Sequence, residues 1–240
     1  PPPSGKPDAS RWHPPEPNGS GQWGGTAQAE WRHFLIFPIV PVTSADTRNT
    51  LRQELRAQRQ ELSAPEQTHA AHQLIAHLVA TRLYRVSRRI AVYLPNDGEI
   101  DPVPLMARIW RMNKTCFLPI LSRLRHDRLW FAPFTQDTPL AANRFGILEP
   151  VTPARTWVRA QELDLILMPL VGFDTHGNRL GMGGGFYDKS LAFLRHRRLW
   201  RKPHLIGLAH DFQRVQKLDA CAWDVPLQAV ATDRGIYLME

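Results

Sequence analysis

The sequence predicts a single α/β domain of three layers, αβα, built on a mostly parallel, Rossmann-like sheet. Three observations carry this expectation. From Ser44 onward, β-rich runs alternate with stretches of helical periodicity, the pattern of βαβ units with right-handed crossovers. The run "LDLILMPLVGFD" (163–174) is the most hydrophobic stretch of the chain, as befits a central parallel strand covered on both faces. Finally, "RLGMGGGFYDKSL" (179–191) packs four glycines into five positions at a strand-to-helix joint.

The elements follow in order. "SADTRNTLRQELRAQRQEL" (44–62) places Leu51, Leu55 and Leu62 on an apolar stripe, with Ser44 or Asp46 as N-cap. Arg48, Arg52, Arg56 and Arg59 recur at three- and four-residue spacing and so share one face. A second helix begins with a capping box at Ser63 and Glu66, has Pro65 near its first turn, and is expected to run through Leu74, Leu78 and Leu83. "RIAVYLP" (89–95) reads as a strand and "VPLMARIWRM" (103–112) as a helix. "TCFLPIL" (115–121) and "RLWFAPF" (128–134) are further strands, followed by the apolar run. The glycine loop leads into the helix "YDKSLAFLRHRRL" (187–199), then the strands "HLIGLAHD" (204–211) and "GIYLM" (235–239). Residues 1–43 form a different compositional zone, rich in Pro, Gly and Ser, and are expected to be a disordered extension. The domain is then 44–240.

Composition narrows the function classes. A hydrophobic fraction of 43% suits a globular core. Cys116 and Cys221 make neither a disulfide framework nor a zinc site, and read as buried small hydrophobes in a reducing compartment. The ten histidines show no metal-ligand spacing; His69, His72 and His77 share a helix but not one face, and should face solvent. The formal charge of +8 raises nucleic acid as a partner. The basic residues are nevertheless spread along the chain, including "RLRHDR" and "RHRRLWRK", without the aromatic–basic repeat of a single-strand binder. No run approaches the roughly 18 apolar residues of a membrane helix. "RHFLIFPIVPVTSAD" (32–46) mimics a signal peptide, but two prolines interrupt its centre. The expectation is a cytoplasmic monomer without nucleic acid or membrane partners.

A strand–glycine loop–helix unit is a device for anions. Glycines let backbone N–H groups approach a ligand without Cβ collision, and a helix start adds unsatisfied N–H groups. Arg179 could supply full charge and Asp188 could hold a divalent cation bridging phosphates. The spacing departs from the standard phosphate loops, and a purely structural turn uses glycines equally well.

Longer segments go further. "PLVGFDTHGNRLGMGGGFYDKSL" closely resembles the signature of the 5-formyltetrahydrofolate cyclo-ligase family. "TLRQELRAQRQELS", "YLPNDGEIDP", "FGILEP" and "WDVPLQAVATDRGI" support it in the family's order, over roughly residues 46–238. The resemblance implies conversion of 5-formyltetrahydrofolate and ATP to 5,10-methenyltetrahydrofolate, ADP and phosphate. It implies that Arg48, Arg52, Arg179, Gly181, Met182, Gly183, Gly184, Gly185, Phe186 and Tyr187 bind ATP, with Arg179 also catalytic. It implies that Asn96, Glu99, Asp101 and Phe186 face the folate, and that Asp188 and Asp224 hold Mg²⁺, with Asp174 as a substitute. Arg48 stands where relatives often have lysine, and Gln228 where they commonly have aspartate.

Each residue also has a plainer reading. Arg48 and Arg52 suit a solvated helix face, Asp188 suits a first helical turn, and Asp101 suits an N-cap before Pro102. Two rival functions remain at this point. One is a dinucleotide- or nucleotide-binding enzyme of other chemistry, with Asp211 after "HLIGLAH" as ribose ligand. The other is a basic RNA-binding protein.

Overall fold

The structure, a computed structural model, describes residues 45–121, 128–196 and 202–239. The extension expected over 1–43, and most of the two basic runs, lie outside the described residues. Among those described, no helix is long and apolar enough to cross a membrane.

A seven-stranded sheet runs in the order β11-β10-β9-β6-β1-β2-β3. Its strands are β1 (Arg89–Ala91), β2 (Thr115–Leu121), β3 (Leu129–Phe134), β6 (Leu165–Pro169), β9 (His204–Leu208), β10 (Ala229–Ala231) and β11 (Ile236–Leu238). The inner pairs are parallel and only the edge pairs, β2/β3 and β10/β11, are antiparallel. β6 occupies the centre, as its sequence predicts. Leu165 and Leu167 enter one core while Ile166 and Met168 enter the other, so period-two alternation makes two hydrophobic layers from one strand.

The first layer is α2 (Ala64–Ala80), α3 (Arg82–Val86) and α4 (Val103–Arg111), whose Leu74, Leu78, Leu105 and Ile109 are fully buried. The second is thinner, with α5 (Phe186–Leu191) continued by a 3₁₀ turn at Ala192–His196. α1 (Ala45–Glu61) sits on neither face of the sheet. Its Leu51 and Leu55 pack against Val171, Leu180 and Leu218, over a hairpin of β7 (Gly172–Phe173) and β8 (Arg179–Leu180). The approach is close: a Cβ on Gly172 would lie 2.9 Å from Leu55 Cδ1.

Several elements differ from the sequence reading. The second helix stops at Thr81, whose side chain accepts from Tyr84 N and restarts the chain as α3, so Leu83 lies beyond the break. Thr competes for helix amides in this way. The strand expected over 89–95 is three residues long before the chain turns toward Pro95. The apolar run 163–174 is two strands: β6 ends at Pro169, which has no N–H to extend the ladder, and Gly172 opens the hairpin. The helix expected over 187–199 is α5 plus the 3₁₀ turn, its remainder lying outside the described residues. The hairpin β4 (Leu140–Ala142) with β5 (Leu148–Pro150), the pair β7–β8, and β10 were not anticipated.

Candidate active site

The glycine loop lies at the surface beyond the hairpin. Gly181, Met182, Gly183 and Gly184 are exposed and Gly185 half-buried. Gly183 and Gly185 have φ of 98° and 64°, a region that other residues enter only at a cost. A Cβ on Gly184 would lie 2.7 Å from the Phe186 ring. The loop therefore needs glycine at these three positions and presents bare backbone to solvent. α5 has six residues, so its dipole is short and the loop amides carry most of any anion attraction.

Arg179 leads into the loop but does not point out of it. Its guanidinium is buried, donating to Asp188 Oδ1 and to the carbonyl of Val225. Burial pulls its pKa down, and the Asp188 and Asp224 carboxylates pull it back up. The arginine thus ties together two chain segments carrying carboxylates. Val225 N also donates to Asp188 Oδ1 at 3.4 Å, and Cys221 N donates to Asp224 Oδ2 at 2.9 Å. The other oxygen of each carboxylate accepts nothing from the described residues. Two half-buried carboxylates with one spare oxygen each suit Mg²⁺, which keeps several waters. Among the described residues no three or more His, Cys, Asp or Glu converge, so a richer metal cage is not available there.

The arginine stripe of α1 is not a solvated face. Arg48 Nη1 donates to the Asp219 carbonyl at 3.3 Å and to Cys221 Sγ at 3.1 Å. Arg52 Nε donates to the Gly181 carbonyl at 2.8 Å. Arg56, Arg59 and Gln60 all donate to the Asp97 carboxylate, at 2.6, 2.8 and 2.6 Å. Three loops are thereby fastened to one helix. Cys221 is half-exposed here, contrary to the expectation of burial, whereas Cys116 is buried and its thiol is pushed up to about 12 by desolvation.

Asp97 anchors the loop expected to face folate. Asp97 and Gly98 have φ of 53° and 72°, a turn that "NDG" favours. Asn96 is exposed, and its N–H donates to Glu99 Oε2 at 3.2 Å. Burial, opposed by Arg59, raises the Glu99 carboxyl to about 7. Asp101 is not the N-cap of α4, a place taken by Pro102; it stands one residue earlier, where its Oδ1 accepts from Val103 N at 2.8 Å. Burial, and then the Glu99 carboxylate, raises the Tyr187 phenol, while Arg179 opposes. Phe186 packs against Gly184, and Met182 is 52% exposed. Beneath the Glu99 loop lies His210, which sequence reasoning missed; burial lowers its pKa to about 4.

Three secondary candidates are committed elsewhere. Asp174 is fully buried and accepts from His176 N, Asn178 N, Asn178 Nδ2 and Leu218 N, so it braces loops and is not open to a metal. Gln228 Oε1 accepts from Leu205 N at 2.8 Å and lies 3.2 Å from His204 Nδ1, at the start of β9. Asp211 Oδ1 accepts from Thr232 Oγ1 and Tyr237 Oη, and its Oδ2 lies 3.8 Å from Arg234 Nε. A cleft of about 480 Å³ adjoins the loop, lined by Gly183 to Gly185, Asp188, Lys189, Arg128, Arg195 and Trp223. Arg128 and Arg195 belong to the two basic runs and Lys189 to α5, so folding brings to one cleft cations that stand apart in the sequence.

A mostly parallel α/β sheet with a bare-backbone loop beside a buried Arg–Asp pair places the chain among α/β proteins with a loop suited to anions. The family model for the 5-formyltetrahydrofolate cyclo-ligase family matches residues 44–233. The chain is 38% identical over 182 residues to a 5-formyltetrahydrofolate cyclo-ligase of Haemophilus influenzae, covering 75% of this chain and 94% of the relative. It is 36% identical to that of Escherichia coli K12, covering 76% and 98%. The solved 5,10-methenyltetrahydrofolate synthetase of Aquifex aeolicus superposes with a TM-score of 0.68 at 28% identity, covering 80% and 93%. The chain belongs to the 5-formyltetrahydrofolate cyclo-ligase family and is a ligase. The family uses a folate substrate and ATP.

Proposed function

We propose that the chain converts 5-formyltetrahydrofolate to 5,10-methenyltetrahydrofolate, consuming ATP in a Mg²⁺-dependent reaction and releasing ADP and phosphate. The observation that supports this most is the glycine-loop backbone, exposed over 181–184 and flanked by Arg52 and by the Arg179–Asp188 pair. Such a site accepts a triphosphate on one side and a pterin on the other.

The chemical obstacle is the formyl group, an amide whose carbonyl is a poor electrophile and whose oxygen is a poor leaving group. Transfer of the γ-phosphoryl group to that oxygen answers both. N10 then attacks the activated carbon and loses its proton, and the oxygen departs as phosphate. Because N10 and the formyl carbon share one molecule, ring closure begins with high effective molarity. The protein's task is positioning and charge compensation. The loop amides and Arg52 hold phosphate oxygens; Arg179 fixes Asp188 and balances its charge. Asp188 and Asp224 would hold Mg²⁺, which offsets phosphate charge when bound. Ionised Glu99 accepts adjacent pterin N–H groups, with Asn96 at the rim.

The test mixes purified protein with 5-formyltetrahydrofolate, ATP and Mg²⁺ and follows the methenyl product by near-ultraviolet absorbance. Product that depends on both ATP and Mg²⁺ is expected. Folded protein that forms none overturns the reading.

A further inference from the structure

Two basic runs of the sequence, "RLRHDR" (123–128) and "RHRRLWRK" (195–202), have no part in the proposed reaction. Their described ends meet in the fold. Arg128 immediately precedes β3, and Arg195 lies in the 3₁₀ turn that follows α5. Ser190 on α5 joins the two segments: its Oγ accepts from Leu129 N at 2.8 Å and donates to the Phe186 carbonyl at 2.6 Å.

The cleft beside the glycine loop does not end there. A second cleft, of about 570 Å³, shares Arg128, Lys189, Ala192 and Arg195 with it, so the two form one trough. At its far end is Arg159, whose guanidinium lies 5.3 Å from the centre of the Trp130 ring. The one acidic residue among those described that line the trough is Asp188, at the glycine-loop end.

The fold sets the cations in place. Lys189 runs along the loop, its Cε 3.8 Å from where a Cβ on Gly185 would stand. Arg195 is tethered, Nη1 donating to the Ala222 carbonyl at 3.2 Å and Nε to that of Ala192 at 3.4 Å. The side chains of Arg128 and Lys189 have no hydrogen bond or ion pair among the described residues. Cations gathered along a trough with so little counter-charge make a field that draws in an anion.

The form of the trough chooses among anions. A triphosphate carries its charge on adjoining groups, and the loop amides with Arg52, which meets the loop at Gly181, already answer it. The trough leaves the loop at the other end, along Gly183 to Gly185. It draws its cations from three separate stretches of chain, at 128, 159 and 189–195, with the apolar surface of Trp130 and Phe193 between them. That alternation fits a flexible chain bearing one carboxylate per unit, with methylene groups between. 5-Formyltetrahydrofolate ends in such a unit, a glutamate, and folates are lengthened by further glutamates in γ-linkage.

We infer that the trough from the glycine loop to Arg159 binds the carboxylates of the γ-glutamyl chain of the folate, with Arg128, Lys189 and Arg195 as its principal cations. The inference rests on the cyclo-ligase reading above. The test compares KM for 5-formyltetrahydrofolate bearing one glutamate and bearing three. In the wild type the triglutamate should have a KM about tenfold lower, the effect of a few exposed ion pairs together, and high salt should erode that advantage. Arg128→Ala and Lys189→Ala should each cut it about two- to fivefold and the double variant should abolish it, with KM for ATP within about twofold of the wild type. Neither side chain has a partner to lose, so the melting temperature should hold. Equal KM values for the two folates in the wild type, an advantage that survives in the double variant, or a loss confined to ATP overturns the inference. Turnover by the wild type meanwhile preserves the cyclo-ligase reading. If the wild type does not turn over, that reading falls, and calorimetric titration of the triglutamate into the wild type and the double variant still decides the trough: equal binding overturns it. Should an alanine variant fail to fold, Arg128→Gln and Lys189→Gln give the same comparison.

Discussion

Arg52 Nε donates a 2.8 Å hydrogen bond to the carbonyl of Gly181, so the first helix grips the glycine loop at its first residue. A second nitrogen of the same guanidinium donates to Asn49 Oδ1 at 2.6 Å. Burial, and then repulsion from Arg48, lowers the Arg52 pKa. Two cations are thus held side by side at the loop, which an arriving polyanion would relieve.

Replacing Arg52 with alanine removes a cation and a charge-assisted contact, each such bond contributing about 1.5–3 kcal/mol. KM for ATP should rise at least about tenfold, with little change in the melting temperature. Lysine should recover only part of the loss, because an ammonium cannot reproduce the guanidinium fork. ATP titrations of the two variants check this.

Asp97 is predicted to matter for stability. Arg59 is completely buried, and its ion pair with Asp97 is its one salt bridge among the described residues. Asp97→Ala leaves that charge uncompensated, and removing one partner of a buried pair costs about 3–5 kcal/mol. The urea midpoint should fall accordingly. An unchanged midpoint would show that Arg59 finds solvent or another partner.

For the metal, Asp224→Asn is a cleaner probe than a change at Asp188, which would also unpair Arg179. The Asp224 carboxylate accepts one backbone hydrogen bond, from Cys221 N, which an amide oxygen can also accept. The Mg²⁺ concentration for half-maximal activity should rise on the order of tenfold, since a hard cation prefers carboxylate oxygen. Thermal stability without metal should barely move. Titration with Mg²⁺ alongside a melting curve separates these outcomes.

Glu99 supplies a pH test. Burial holds its carboxyl at about 7, so the ionised form that accepts pterin N–H groups fills in as pH rises through neutrality. The ratio kcat/KM for the folate should climb between pH 6 and 8 and then level off, and Glu99→Gln should flatten that limb. Stability runs the other way. A carboxyl whose folded pKa is raised favours the folded state at low pH, and that advantage is lost as pH rises from the unfolded value, near 4.5, through about 7. Glu99→Gln should therefore gain stability relative to wild type at pH 8 compared with pH 5.

The local patterns in the chain were sound guides where local physics decides. The capping box at Ser63 and Glu66 forms, with Ser63 N donating to Glu66 Oε2 at 2.8 Å. β2 has the bounds its β-branched and aromatic run suggests, Thr115–Leu121. Gly183 and Gly185 sit where positive φ is required. Local reasoning failed where a single residue cuts a pattern, as Thr81 cuts α2 and Pro169 ends β6.

Periodicity, turn chemistry and capping act within about a dozen residues, and from them the chain alone settled the layered α/β class, the order of most elements and the glycine loop. Choice of partner was settled by folding. Arg59 meets Asp97 across 38 positions and Arg179 meets Val225 across 46. A guanidinium on a helix face has the same local sequence whether water or a carboxylate awaits it. Only the packing of α1 on the β7–β8 hairpin turned a stripe of arginines from a solvated surface into the frame of the candidate site.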